Sequence, residues 1–172
     1  SIEGDRRIYL YTKDIADNIS LGAGIATMTY DTSPPADPTL GLADPTTALS
    51  SHVRQQAVTL IVGNDTNAAK WCVSEGQTTA PASGTVACNG GQGPDNGWYT
   101  SQPSTFNLTA GDGVKTVYLW VVNPANNVNV GPVTAAINLD TTVPATPTVS
   151  MSDPNTSLTT DTNQSMVDLS IT

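Results

Sequence analysis

Apolar and polar residues alternate in short runs along this 172-residue chain, and no helical spacing persists for three turns. The run "AVTLIVG" (57–63) sends Val58, Leu60 and Val62 to one side, the period-2 pattern of a half-buried strand. "STFNLT" (104–109) alternates Phe106 and Leu108, and "VKTVYLWVV" (114–122) aligns Val117, Leu119 and Val121. "TLGLA" (39–43), "AAKWCVS" (68–74) and "GPVTAAINLD" (131–140) are further strand candidates. "AGDG" (110–113) and "NPANN" (123–127) read as turns between them. The Gly-, Ser-, Thr-, Pro- and Asn-rich stretch 75–97 has no period and reads as loops with one edge strand. The pattern predicts an all-β chain.

The same pattern occurs twice. Sliding the chain by 109 residues lays Gly4–Gly63 on Gly113–Thr172 without a gap, and 20 of the 60 aligned positions are identical. Tyr9/Tyr118, Leu10/Leu119, Asn18/Asn127, Asp31/Asp140, Pro35/Pro144, Pro38/Pro147, Asp44/Asp153 and Leu60/Leu169 are among the pairs. A period of this length is a whole domain rather than a solenoid turn. "DTSPPADP" (31–38) and "DTTVPATP" (140–147) follow one strand and precede another. Proline cannot donate to a ladder and disfavours helix, so each reads as a stiff, extended joint. Residues 1–33 then hold the last strands of one unit, 34–142 a complete unit, and 143–172 the first strands of a third. About seven strands per unit predict an immunoglobulin-like β-sandwich. Two strands are marginal in water. Each partial unit is therefore expected to be completed by neighbouring repeats of a longer chain, or by copies of itself joined head to tail through strand complementation into a fibre.

Leu108-Thr-Ala-Gly-Asp-Gly, Val117-Tyr-Leu-Trp-Val-Val, Asn123-Pro-Ala-Asn-Asn-Val and Leu139-Asp-Thr-Thr-Val-Pro together resemble the tandem bacterial Ig-like repeats of large surface proteins and adhesins. Those repeats typically read L-x-x-G-D-G, V-Y-x-x-V-x-D-x-A-G-N and D-T-T-x-P. The resemblance covers the complete unit and both partial ones. This chain has Asn123 where the pattern usually has Asp, and Asn126 where it usually has Gly. In the first copy Asp14 keeps the acid and Asp17 replaces the Gly. The resemblance implies an extracellular, cell-surface location and a structural or adhesive role, with no ligand or surface receptor specified. The alternative is a carbohydrate- or protein-binding accessory module of a secreted enzyme.

Charge narrows the partners. Fifteen acids against six bases, a net charge of -9, disfavour nucleic acid and anionic membrane surfaces. No apolar run approaches the length of a membrane span, so no insertion is expected in this segment. Cys72 and Cys88 are the only cysteines. In a secreted protein they read as a disulfide, and otherwise as two small core residues.

Catalysis finds no foothold, and the chain is not expected to be an enzyme. The single histidine, His52, aligns with Asp161 in the repeat, and no nucleophile–base pair or zinc-type cluster is legible. No cofactor is expected beyond calcium, for which oxygen donors gather near the joints. The candidate ligands are Asp14, Asp17 and Asn18 in one turn, Asp31 and Asp37 in the first joint, Asp44 beyond it, and Asp140 and Asp153 around the second joint. Asp and Asn are equally the ordinary residues of turns and caps, and no EF-hand spacing is present. Trp98 and Tyr99, after a Gly-rich loop, suggest a ligand platform or the packing of a sandwich edge.

Overall fold

The alternating runs form strands. The computed structural model describes residues 2–172, which fold without a helix. The strands are β1 (Gly4–Leu10), β2 (Gly24–Tyr30), β3 (Thr39–Ala43), β4 (His52–Val53), β5 (Ala57–Gly63), β6 (Lys70–Ser74), β7 (Thr105–Asn107), β8 (Gly113–Val122), β9 (Val133–Leu139), β10 (Val149–Ser152) and β11 (Asp168–Ile171). They divide between two compact units, Ser1–Thr141 and Thr142–Thr172.

In the first unit, the three-stranded sheet β3-β5-β7 and the four-stranded sheet β4-β9-β8-β6 bury one core between them. Leu42, Val58, Leu60 and Phe106 come from the first sheet, and Val117, Leu119, Val121, Ile137 and Leu139 from the second. This is a β-sandwich, and the period-2 alternation is its cause: every second residue points inward. Each such side chain contributes roughly 1.5–3 kcal/mol by leaving water.

Two features differ from the sequence expectation. β4 is a two-residue strand that runs parallel to β9 through His52↔Asn138 and Val53↔Leu139. The stretch 75–97 holds no strand, because its loop is pinned from within. The edge of β6 is covered instead by Tyr99, whose backbone pairs with Trp71 at 2.8 and 3.0 Å. The outer edge of β7 is covered by side chains. The Gln92 amide bonds both the N–H and the C=O of Asn107, at 3.0 and 2.6 Å, and a Glu75 carboxylate oxygen accepts from the Thr109 N–H at 2.6 Å.

The sequence repeat is also a repeat of register. β1 pairs with β2 so that Gly4 faces Tyr30 and Ile8 faces Ala26; β8 and β9 pair Gly113 with Leu139 and Val117 with Ala135. Each pair is displaced by the same 109 residues. Within the second unit, β10 and β11 pair Val149 with Ile171, as β3 and β5 pair Leu40 with Val62. The two hairpins leave open the faces that the sandwich closes. Leu10 is 66% exposed against 0% for its counterpart Leu119, and Met28 is 76% exposed against 2% for Ile137. Met151, Val167 and Leu169 on the second hairpin are likewise exposed, whereas Leu42, Val58 and Leu60 are buried.

Candidate functional site

The joint Asp31–Pro38 is held from both sides by side chains that the sequence marks only as turn formers. The β8–β9 turn starts at Asn123, whose Oδ1 accepts from the backbone N–H of Ala125 at 3.0 Å and of Asn127 at 2.9 Å. Asn126 closes it in the left-handed region, φ 66°, a conformation that Asn tolerates better than most side chains. With Oδ1 engaged in the turn, the amide nitrogen faces the joint. Asn123 Nδ2 donates to Asp31 Oδ2 at 2.9 Å and to the Ser33 carbonyl at 3.0 Å. Asn127 Nδ2 donates to the Asp31 carbonyl at 3.0 Å. Asn129 Nδ2 reaches Asp37 Oδ1 at 3.1 Å while its Oδ1 accepts from the Val121 N–H at 2.8 Å. Asn64 Nδ2 donates to the Asp37 carbonyl at 2.9 Å. Asn123 and Asn129 are buried, as are Pro35 and Pro38 of the joint.

The hairpin side holds the same segment. Glu3, just before β1, accepts from the Thr32 N–H at 2.9 Å, from the Thr32 hydroxyl at 2.5 Å and from the Ser33 hydroxyl at 2.9 Å. These bonds, the Thr32 hydroxyl first, hold its carboxyl below the usual range. The repeat reproduces the device: Asp112 Oδ1 accepts from the Thr141 N–H at 2.8 Å and from its hydroxyl at 2.7 Å.

The remaining candidate ligands are spread among separate turns, except that Asp44 and Asp140 line one cavity with His52 and Arg54. Asp14 builds the turn equivalent to that of Asn123, its Oδ1 accepting from Ala16 and Asn18 N–H groups, both at 2.9 Å, and its Oδ2 from the Asn18 amide at 2.9 Å. The Asn18 side-chain bond is the main reason its carboxyl sits below the usual range. Asp17 is in the left-handed region, φ 67°, and pairs with Lys13 at 2.7 Å on the surface. Asp44 is buried and caps its turn through the Thr46 and Thr47 N–H groups, each at 2.8 Å, which lower its pKa, Thr47 first. Asp153 repeats that cap on Asn155 and Thr156 and also accepts from the Thr162 hydroxyl, the largest cause of a pKa lowered to about 2. Asp140, just past β9, donates its N–H to the Val53 carbonyl at 2.9 Å. Among the described residues no three of His, Cys, Asp or Glu are placed to hold one metal ion. Calcium needs several oxygens aimed at one point. At the first joint, the point faced by Asp31 Oδ2 and the Ser33 carbonyl is taken by the Asn123 amide, so these residues do not fit the ion.

Cys72 and Cys88 form a disulfide. It anchors the 75–97 loop to β6 inside a second buried cluster with Trp98, Trp120 and Val122. The Trp98 indole N–H donates to the Val86 carbonyl at 2.7 Å, and that of Trp120 to the Gln77 carbonyl at 2.9 Å. At Gly91 a Cβ would collide with the Cys88 sulfur, which explains the glycine there. The aromatic platform suggested by the sequence is therefore corrected. Trp98 is fully buried and satisfied inside the loop, and Tyr99 is half-buried against the β6 edge. Burial also raises the Tyr99 phenol above its ordinary pKa. His52 lies exposed in β4. No helix is long and apolar enough to cross a membrane among the described residues. No protein-family model matches the chain, and no curated protein matches it.

Proposed function

We propose that this chain is a non-catalytic segment of an extracellular bacterial surface protein or fibre, in which Ig-like sandwich repeats act as stiff spacers. In this reading residues 1–33 carry the last strands of one repeat, 34–142 a complete repeat, and 143–172 the first strands of the next. The observation that supports it best is the joint. A spacer transmits orientation only if its connector is fixed to both neighbours, and Asp31–Pro38 bonds to Glu3 on one side and to Asn64, Asn123, Asn127 and Asn129 on the other. The matched register of β1–β2 with β8–β9 supports a tandem repeat. The disulfide fits an oxidising compartment. The tandem bacterial Ig-like repeats of adhesins are the family this reading favours. An accessory binding module loses its main support with the burial of Trp98.

The test is to raise antibodies to the sandwich, label intact source cells, and image the purified native polypeptide by electron microscopy. Surface labelling and an extended string of beads are expected. Labelling only after lysis, or a single compact particle, would refute the proposal.

A further inference from the structure

We propose that the Asp31–Asp37 joint is a cation-independent clamp, with residue 123 deciding between an amide and a metal ion as its fastener. The proposal deepens the spacer reading and rests on it for biological use, though the geometry stands apart from it. Asn123 has two terminal atoms with separate tasks. Its Oδ1 builds the β8–β9 turn, and its Nδ2 bridges Asp31 Oδ2 and the Ser33 carbonyl. The repeat separates the two tasks. Asp14 builds the equivalent turn with the same pair of backbone bonds, so a carboxylate satisfies the turn as well as an amide does. The second terminal atom of Asp14 is an oxygen, however, and it takes a bond from Asn18.

An oxygen in the place of Asn123 Nδ2 would leave three oxygens pointing at one another, two of them charged, at a buried position. Oxygen sets of that kind repel unless a hard cation sits between them. The amide supplies the positive end of a dipole at that point and makes the ion unnecessary. Asn127 and Asn129 extend the arrangement, each turning an N–H toward an oxygen of Asp31 or Asp37.

The experiment uses the full chain with spin labels on unnatural amino acids at the exposed positions Thr27 and Thr134, leaving the disulfide intact. Electron–electron distance distributions are recorded in EDTA and in calcium. The native chain is expected to give one narrow distribution, the same in both. Asn123→Asp is expected to lose the narrow peak in EDTA and recover it in calcium. The exchange Asn123→Asp with Asp31→Asn restores an amide–carboxylate pair and is expected to be narrow in both. It also serves as the test if the single variant fails to fold. A native distribution that broadens in EDTA would overturn the clamp, as would Asn123→Asp staying narrow in EDTA or failing to recover in calcium. If the exchange variant broadens in both media, the amide–carboxylate pairing is not what fixes the joint. A narrow, cation-blind joint in a protein absent from the cell surface would sink the spacer reading and leave the clamp standing.

Discussion

Replacing both cysteines with alanine should cost the sandwich about 4 kcal/mol. The bridge spans 16 residues of sequence. Cross-linking a loop of that size removes chain entropy from the unfolded state worth roughly 3 kcal/mol. Both sulfurs lie in the buried cluster with Trp98 and Trp120, so their loss also removes contacts, adding on the order of 1 kcal/mol. For a domain of about 100 residues, 1 kcal/mol moves the melting temperature by about 4–8 °C, so a fall of at least about 16 °C is expected. Tryptophan fluorescence is the suitable probe. All three tryptophans, Trp71, Trp98 and Trp120, belong to the sandwich, so the hairpins do not contribute to the signal. A loss below about 1 kcal/mol would refute the loop-entropy reasoning. It would mean that the indole bonds to Val86 and Gln77, rather than the covalent link, organise residues 75–97.

Three further outcomes follow from the repeat and its caps. Leu119→Ala should destabilise the sandwich by about 2–5 kcal/mol in denaturant titration, whereas Leu10→Ala at the exposed counterpart should stay within about 0.5 kcal/mol. Asn126→Ala should cost about 1 kcal/mol in the same assay because its φ is 66°, and Asn126→Gly should recover most of that loss. The Asp153 carboxyl, with a pKa of about 2, is depressed below an ordinary value of about 3.9. Its contribution to the turn is therefore complete above pH about 4 and lost as pH falls through about 2. A carbon-detected NMR titration should show that midpoint, and Thr162→Val should move it upward.

Most strands were legible because burial on one face writes a period of two into the residues, as in Val58-Thr-Leu and Val117-Tyr-Leu. Strand β4 was not, since two residues carry no period, and its parallel partner lies in a distant part of the chain. Trp98 was legible only as a choice between a ligand platform and edge packing, and its burial bears out packing. Among glycines and polar residues no period decides between the two, and only the folded loop shows Val86 and the disulfide closing over the indole. The joint was legible as a stiff connector from its prolines. The clamp was not, because Asn123, Asn127 and Asn129 look like turn residues and two of them do serve the local backbone. Which terminal atom is left over, and what it faces, depends on the approach of a segment about 90 residues earlier in the chain.

The parallel pairing of β4 with β9 governs how this unit would bear tension. From the first joint the chain runs through β3, which pairs with β5, before it reaches β4, and it leaves through the end of β9 toward Asp140. Once β3 has come away from β5, pulling the chain by its ends draws β4 and β9 lengthwise past each other, because the two strands run in the same direction. The Asn138 N–H to Ser51 carbonyl bond at 3.0 Å and the Asp140 N–H to Val53 carbonyl bond at 2.9 Å then share the load and must yield together. An antiparallel pair at the same place would open one bond at a time. After β3, the resistance that remains would therefore reside in this shortest strand, and a proline at Asp140, which removes one of the two donors, would lower the force at which β4 and β9 part while leaving the apolar core untouched.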